Sequence, residues 1–74
     1  MVCPRCDGQG SIYRAKIINL SIKLSICDEC EACWTDDQKI NLENFQDLST
    51  LLNAYGITYE NAKIEDLGYI EEKQ

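Results

Sequence analysis

The sequence predicts a single α+β domain over residues 1–74: a β-hairpin, a candidate short third strand, and one or two C-terminal helices packed on it. Three features carry the prediction. The cysteines include two Cys-x-x-Cys hooks, Cys3–Cys6 and Cys27–Cys30, with twenty residues between them. Those intervening residues alternate apolar and polar, and the apolar parity switches near their midpoint. Beyond residue 42 the apolar positions recur at helical spacing instead.

The first hook is Cys3-Pro4-Arg5-Cys6-Asp7-Gly8-Gln9-Gly10. Pro4 presets φ, and Gly8 and Gly10 permit a tight turn whose backbone N–H groups point at thiolate sulfur. This octet matches the Cys-x-x-Cys-x-Gly-x-Gly unit of the cysteine-rich domain of J-domain chaperones. That domain needs four such units and this chain has one, so the match reflects shared knuckle physics and not kinship. Next, Tyr13, Ala15 and Ile17 fall on one face of an extended segment, with Arg14 and Lys16 on the other. Leu20, Ile22, Leu24 and Ile26 then alternate with Ser21, Lys23 and Ser25. A period of two marks half-buried strands. A strand cannot change faces without a turn or bulge, so the parity switch places a turn at residues 18–19. Asn19 tolerates positive φ there. A hairpin turning at that point brings the two hooks together at its open end, making residues 1–35 a metal-binding hairpin.

After Cys33, Trp34-Thr35 is the candidate third strand, and residues 36–41 read as a loop. Phe45, Leu48, Leu51, Leu52 and Tyr55 predict a helix over 43–55. Asn44 or Asn41 caps its start, Asp47 suits the dipole of its first turn, and Gly56 stands at C′. Residues 57–70 form a second short helix or an extended segment. The helix is preferred, over 59–67 and ending at Gly68. Glu71 to Gln74 read as a frayed end.

A 74-residue chain is short of core. Below about 70–80 residues an apolar core rarely supplies more than ~3–5 kcal/mol, so a staple is expected. No apolar leader stands before Cys3, and no apolar run approaches the ~20 residues of a membrane span. The expectation is a cytoplasmic protein with reduced thiols, in which paired hooks mean metal more often than disulfide. The chain has five cysteines and no histidine, so a metal site here is all-cysteine or includes a carboxylate. Two residues between hook cysteines let one turn present both sulfurs to one ion, and Cys3, Cys6, Cys27 and Cys30 are the expected ligands of a structural Zn2+. Cys33 follows Cys30 at the same interval, so it is a substitute ligand or a spare buried thiol. Iron in a rubredoxin-like site uses the same pair of hooks, and buried or redox-active thiols are the plainer alternative. An iron–sulfur cluster would need a fourth cysteine where Asp36-Asp37 stand.

A closed four-cysteine site leaves a metal no position for water. With no histidine, no Gly-rich phosphate loop and no nucleophile beside a base, the chain reads as non-catalytic, without a small-molecule substrate. Its net charge of −6 is uneven. Residues 1–26 carry four basic side chains against Asp7, and residues 27–74 carry three against twelve acids. Asp28, Glu29, Glu31, Asp36 and Asp37 surround Trp34 in sequence, which suits an aromatic anchor for a basic protein partner. The alternative for Trp34 is a core residue covering the metal. Glu43, Asp47, Glu60, Glu65 and Asp66 extend the negative surface. The competing reading is nucleic-acid binding by the hairpin through Arg5, Arg14, Lys16, Lys23 and Tyr13, which the overall acidity disfavours.

The hooks and hairpin resemble zinc ribbons, with Cys3, Cys6, Cys27 and Cys30 at the ligand positions. That resemblance covers the first half of the chain and implies fold and metal, not function. The whole chain is similar in pattern to small bacterial immunity proteins encoded beside contact-dependent growth-inhibition toxins. The similarity lies in size, acidity, the stretch Ile26-Cys27-Asp28-Glu29-Cys30-Glu31-Ala32-Cys33-Trp34, and the tail from Leu48 to Ile70. It implies an antitoxin-like protein that neutralises a cognate, basic, nuclease-type toxin. A runner-up role is a nucleic-acid-associated zinc ribbon in transcription or translation.

Overall fold

The computed structural model describes residues 1–71. Five antiparallel strands form one sheet in the order β4-β3-β2-β1-β5. The strands are β1 (Ile12–Ile17), β2 (Ile22–Cys27), β3 (Ala32–Thr35), β4 (Gln46–Asp47) and β5 (Ile64–Tyr69), with one helix, α1 (Leu48–Ala54). The expected hairpin is present, in register from Ile12 opposite Cys27 to Ile17 opposite Ile22. Its turn is a single 3-10 turn, Ile18–Leu20, closed by Ser21 at φ 55°. Ser21 therefore takes the left-handed position expected of Asn19. The Asn19 side chain instead accepts from Lys63 N at 3.1 Å and donates to Asn61 O at 2.8 Å.

The sheet buries both faces, which the alternation of the hairpin alone does not predict. Cross-strand partners share a face. Tyr13 opposite Ile26, Ala15 opposite Leu24 and Ile17 opposite Ile22 lie on one side. There they join Cys33, Leu48, Leu51 and Leu52 in the larger core. Ile12 and Cys27 face the other way and join Cys3, Ala32 and Trp34, with Ile40, Phe45 and Ile70 against them. The candidate third strand is present and two residues longer, and its alternation assigns Ala32 and Trp34 to the second core and Cys33 to the first.

Trp34 is fully buried, and its indole N–H donates to Asn41 O at 2.9 Å. It is a core residue and presents no aromatic anchor to a partner. This corrects the exposed reading and follows from its opposition to Ser25 in the middle of the sheet.

The helix is shorter than the predicted 43–55. Asn41 Oδ1 accepts from the N–H groups of Glu43 and Asn44, which sets a turn at 42–44 and not a helix cap. Gln46 and Asp47 then pair with Cys33 and Ala32. Phe45 fits the helical spacing by coincidence, because its ring packs in the second core. Tertiary pairing overrides propensity in the first turn. The C-terminus agrees with expectation. Gly56 has φ 75°, Ile57 N donates to Leu52 O, and Gly56 N donates to Asn53 O, forming a Schellman cap.

The preferred second helix is absent. One turn closes at Thr58, whose carbonyl accepts from Asn61 and Ala62, and the chain then extends along the free edge of β1 as β5. The extended alternative therefore describes this segment. Gly68, expected as a helix stop, sits at a bulge: Asp66 faces Ala15 and Gly68 faces Arg14, leaving Leu67 without a partner. Edge hydrogen bonding decides the outcome, since β1 without β5 would expose a row of unpaired groups. Of the predicted frayed end, Glu71 is described and residues 72–74 lie outside the described part. No helix among the described residues is long and apolar enough to cross a membrane.

Leu52 is 1% exposed between α1 and the sheet, whereas Leu42 is 59% exposed on its loop. Leu52→Ala is expected to destabilise the domain by about 2–5 kcal/mol and Leu42→Ala by less than ~0.5 kcal/mol. Urea denaturation of both variants beside the parent chain measures the contrast.

Candidate metal centre

Two knuckles meet at the open end of the hairpin. The first is wound by Cys3 N donating to Gly10 O at 2.9 Å, Gly8 N to Cys3 O at 3.0 Å and Gln9 N to Cys6 O at 3.1 Å. Asp7 and Gly8 take positive φ within it. The second knuckle starts at Cys27, the last residue of β2, and reverses the chain into β3. It contains no glycine, and Glu31 supplies the positive φ of 57°.

Gly10 has a different task from Gly8. A Cβ there would stand 2.5 Å from Cys27 Sγ and 2.9 Å from Glu29 Cβ, so the two knuckles approach each other through this hydrogen.

This packing gathers Cys3, Cys6, Cys27 and Cys30, whose sulfurs all lie within 4.8 Å of one another. Cys3 Sγ is 3.6 Å from Cys30 Sγ, and Cys6 Sγ is 3.6 Å from Cys27 Sγ. Sulfurs placed tetrahedrally about 2.3 Å from an ion stand about 3.8 Å apart, so the cluster has the dimensions to hold a metal ion. All five cysteines are free thiols. Backbone amides aim at the sulfurs: Gly10 N lies 3.2 Å from Cys6 Sγ, and Glu29 N and Cys30 N lie 3.4 and 3.5 Å from Cys27 Sγ. Such N–H groups stabilise thiolate charge.

As thiols these groups do not titrate alike. Burial pushes Cys3 up and takes Cys27 to about 12. Burial also opposes ionisation of Cys30, but the Ala32 N–H and the thiols of Cys27, Cys3 and Cys6 outweigh it and hold Cys30 below its ordinary value. Metal binding at neutral pH therefore expels protons from the cluster.

Cys33 does not belong to the cluster. It is fully buried in the larger core on the opposite face, where burial pushes its thiol up to about 12. The face alternation of β3 separates it from Cys30 and removes it as a substitute ligand.

The residues around the hooks tie the site to the rest of the fold. Arg5, between the first two ligands, donates to Cys30 O at 2.9 Å, pairs with Asp47, and lies 5.0 Å over the Phe45 ring. Asp28 accepts from Ser11 N and from the Tyr69 hydroxyl, each at 2.9 Å. The Ser11 amide first, and then the Tyr69 hydroxyl, hold its carboxyl below the usual range. Glu31 accepts from the Tyr59 hydroxyl and from Ser49 Oγ, and these two in that order lower its carboxyl. Asp36 pairs with Arg14 at 3.0 Å, and Asp37 accepts from Thr35 Oγ1.

Of the acids surrounding Trp34 in sequence, four are therefore engaged within the domain, and Glu29 alone has no side-chain partner among the described residues. The tethers from Tyr59 and Tyr69 join residues 28 and 41 positions apart, and no local pattern announces them.

Comparison with protein-family models, with curated proteins and with solved structures returns no match.

Gly10→Ala is expected to weaken metal binding about 10–100-fold in chelator competition, as loss of a supporting contact does. Cys33→Ser keeps the metal content, while Cys30→Ser loses it, as measured by elemental analysis of the purified variants. Tyr69→Phe and Tyr59→Phe are expected to raise the carboxyl pKa values of Asp28 and Glu31 toward their ordinary values. Because both carboxyls are depressed in the fold, these contacts stabilise it above the unfolded carboxyl pKa. They are lost as pH falls through the folded value. Carboxyl-detected NMR titration of the two variants reads the change.

Proposed function

We propose that this chain is a non-catalytic domain folded around a structural zinc ion, which binds and neutralises a basic protein toxin in the manner of an immunity protein. The observation that carries the reading is the closed set of four cysteine sulfurs. Four thiolates complete the tetrahedral shell that zinc prefers, hold it without redox chemistry, and leave it no open position. The ion is then a staple between two small cores.

The lining of the surface groove suits a binding role. The groove beside α1, about 440 Å³, is lined by Ser49, Thr50, Leu52, Asn53, Ile57, Thr58 and Tyr59. Its Ser49 and Tyr59 hydroxyls both serve Glu31. None of the lining residues is a carboxylate, lysine or thiol.

Charge supports a basic partner. Among the described residues the ion pairs are Arg5–Asp47 and Arg14–Asp36. Glu29, Glu43, Glu60 and Glu65 are exposed and stand outside them. A surface of this sign speeds encounter with a positive protein. The same two ion pairs weaken the nucleic-acid alternative. Arg5 and Arg14 are neutralised, which leaves Lys23 and Lys16, the latter also opposite Glu65 of β5, as the hairpin cations outside ion pairs among the described residues. A phosphate-tracking surface commonly uses about 6–10 contacts.

Purified protein is expected to contain one zinc per chain, to lose its sheet signal in circular dichroism on chelation, and to regain it when zinc returns. A folded, metal-free Cys3→Ser protein would sink the staple. Co-expression with a basic nuclease-type toxin encoded immediately upstream is expected to protect cells, with salt-sensitive nanomolar binding of the two purified proteins. Failure to protect and to bind ends the immunity reading and leaves the zinc reading intact.

A further inference from the structure

The sheet ends in two unlike edges. β4 is two residues long and runs directly into α1, so it offers little to pair with. β5 is six residues long and, among the described residues, has β1 as its sole strand neighbour.

Which of its backbone groups face outward follows from its hydrogen bonds. Ile18 N donates to Lys63 O at 2.8 Å, and Ile70 N donates to Ile12 O at 3.0 Å. Antiparallel ladders alternate bonded and non-bonded pairs. Ile64 opposite Ile17, Asp66 opposite Ala15 and Tyr69 opposite Tyr13 are therefore the non-bonded pairs. The N–H and C=O groups of Ile64, Asp66 and Tyr69 point away from the sheet.

Proteins guard such an edge with lysine, proline or a bulge. Here the bulge at Leu67 interrupts the edge only after Asp66, and no lysine or proline lies within Ile64–Tyr69. The side chains of the strand are acidic and apolar, with Lys16 of β1 directly opposite Glu65 and Lys63 just before Ile64. Glu65 and Asp66 are exposed, on opposite faces, and Leu67 and Tyr69 are 46% and 59% exposed.

We infer that the outer edge of β5, from Ile64 to Asp66, is where the basic protein partner docks, by adding an extended lysine- or arginine-bearing segment as a sixth strand. This rests on the reading above that the partner is a basic protein, and it names the mode of capture. Backbone groups of Ile64 and Asp66 supply the hydrogen bonds, and Glu65 and Asp66 select positive side chains on the two faces of the incoming strand. Leu67 and Tyr69 form an apolar boundary at the bulge. A second copy of this chain is disfavoured in the register that joins the outward groups of Ile64 to those of Asp66. Two β5 strands paired antiparallel about Glu65 would set Glu65 against Glu65 and flank it with further acids, and like charges directly opposed repel.

The probe is a capped, proline-free peptide of lysine and valine, with a glutamate–valine peptide as its counterpart. Each is titrated into the metal-loaded, 15N-labelled chain. The lysine peptide is expected to give saturable shifts centred on residues 64–67 and to slow hydrogen exchange at the Ile64 and Asp66 amides. The glutamate peptide is expected to do neither.

Glu65→Lys combined with Asp66→Asn is expected to weaken the lysine peptide about tenfold or more, as attractive cross-strand charges become repulsive or neutral. Asp66→Asn alone keeps the Oδ1 that accepts from Gly68 N at 2.7 Å, so it tests the charge with the bulge intact.

Shifts centred instead on Glu43 or Glu60 overturn the edge and leave the basic-partner reading standing. Equal binding of the glutamate peptide overturns the charge selection. Protection at Ile64 and Asp66 without peptide, with doubled mass in solution, gives the edge to a second copy and overturns the proposal. Absence of binding by the lysine peptide overturns it as well, while the toxin-binding assay continues to decide the partner reading independently.

Discussion

The approach of two knuckles at one end of a hairpin is the constraint from which the remaining structure follows. Residues 3–10 and 27–30 touch through the bare backbone of Gly10, which stands where any side chain would collide with Cys27 Sγ. That contact sets four sulfurs within 4.8 Å of one another. It also aligns β1 with β2, because Ile12 opposite Cys27 is the first rung of the ladder next to the cluster. Each hook then reaches further. Arg5 extends from the first to β4 and the 42–45 loop, while Asp28 and Glu31 extend from the second to β5 and α1. Disturbing the knuckles therefore loosens elements with no cysteine of their own.

The architecture also shows where a metal staple would act. The sheet divides its apolar residues between two faces, so neither core is large. One is roofed by a helix of seven residues and the other by an irregular loop. Isolated helices shorter than about 12–15 residues are marginal, and α1 persists because Leu48, Leu51 and Leu52 are buried on the sheet. A metal bound only in the folded state adds its binding free energy to folding, at the place where the first and second strands and both knuckles converge.

Much of this was legible in the residues, and the misses have a common cause. The hairpin, the four-cysteine cluster and the Gly56 cap depend on contacts or conformations encoded by spacing along a short stretch. The parity switch between Ile17 and Leu20 and the two Cys-x-x-Cys intervals agree on one geometry, and the fold obeys both. The errors arise where a distant segment decides. Residues 43–47 have helical periodicity, but β3 recruits Gln46 and Asp47 as a strand. Residues 59–67 have it too, but the open edge of β1 recruits 64–69. Trp34 carries acidic neighbours in sequence, yet its strand position turns it into the second core. Gly10 matched a knuckle motif, while its real role as a point of close approach depends on a strand seventeen residues away.

The acids show how one composition serves two ends. Asp28, Glu31, Asp36 and Asp47 meet an amide, a hydroxyl or a guanidinium and act as fasteners of the fold. Asp36 and Asp47 are balanced by guanidinium groups, whereas Asp28 and Glu31 accept from neutral donors and keep their negative charge. Of the other described acids, Asp7 and Glu29 lie exposed on the knuckles, Asp37 and Glu43 on the loop, Glu60 on the turn after α1, and Glu65 and Asp66 on β5. A net charge of −6 thus does not describe an evenly negative sphere. The hook region stays acidic in space, because Arg5 is paired with Asp47 while Asp7, Asp28, Glu29 and Glu31 stand outside the ion pairs of the described residues. The late strand, which pairs on one side only among the described residues, carries Glu65 opposite Lys16 and Asp66 opposite Ala15. A basic chain drawn by the negative surface would meet outward-facing backbone groups at this edge together with the exposed carboxylate of Asp66, and would share Glu65 with Lys16 across the ladder, so the electrostatics that speed encounter also favour the segment that docks.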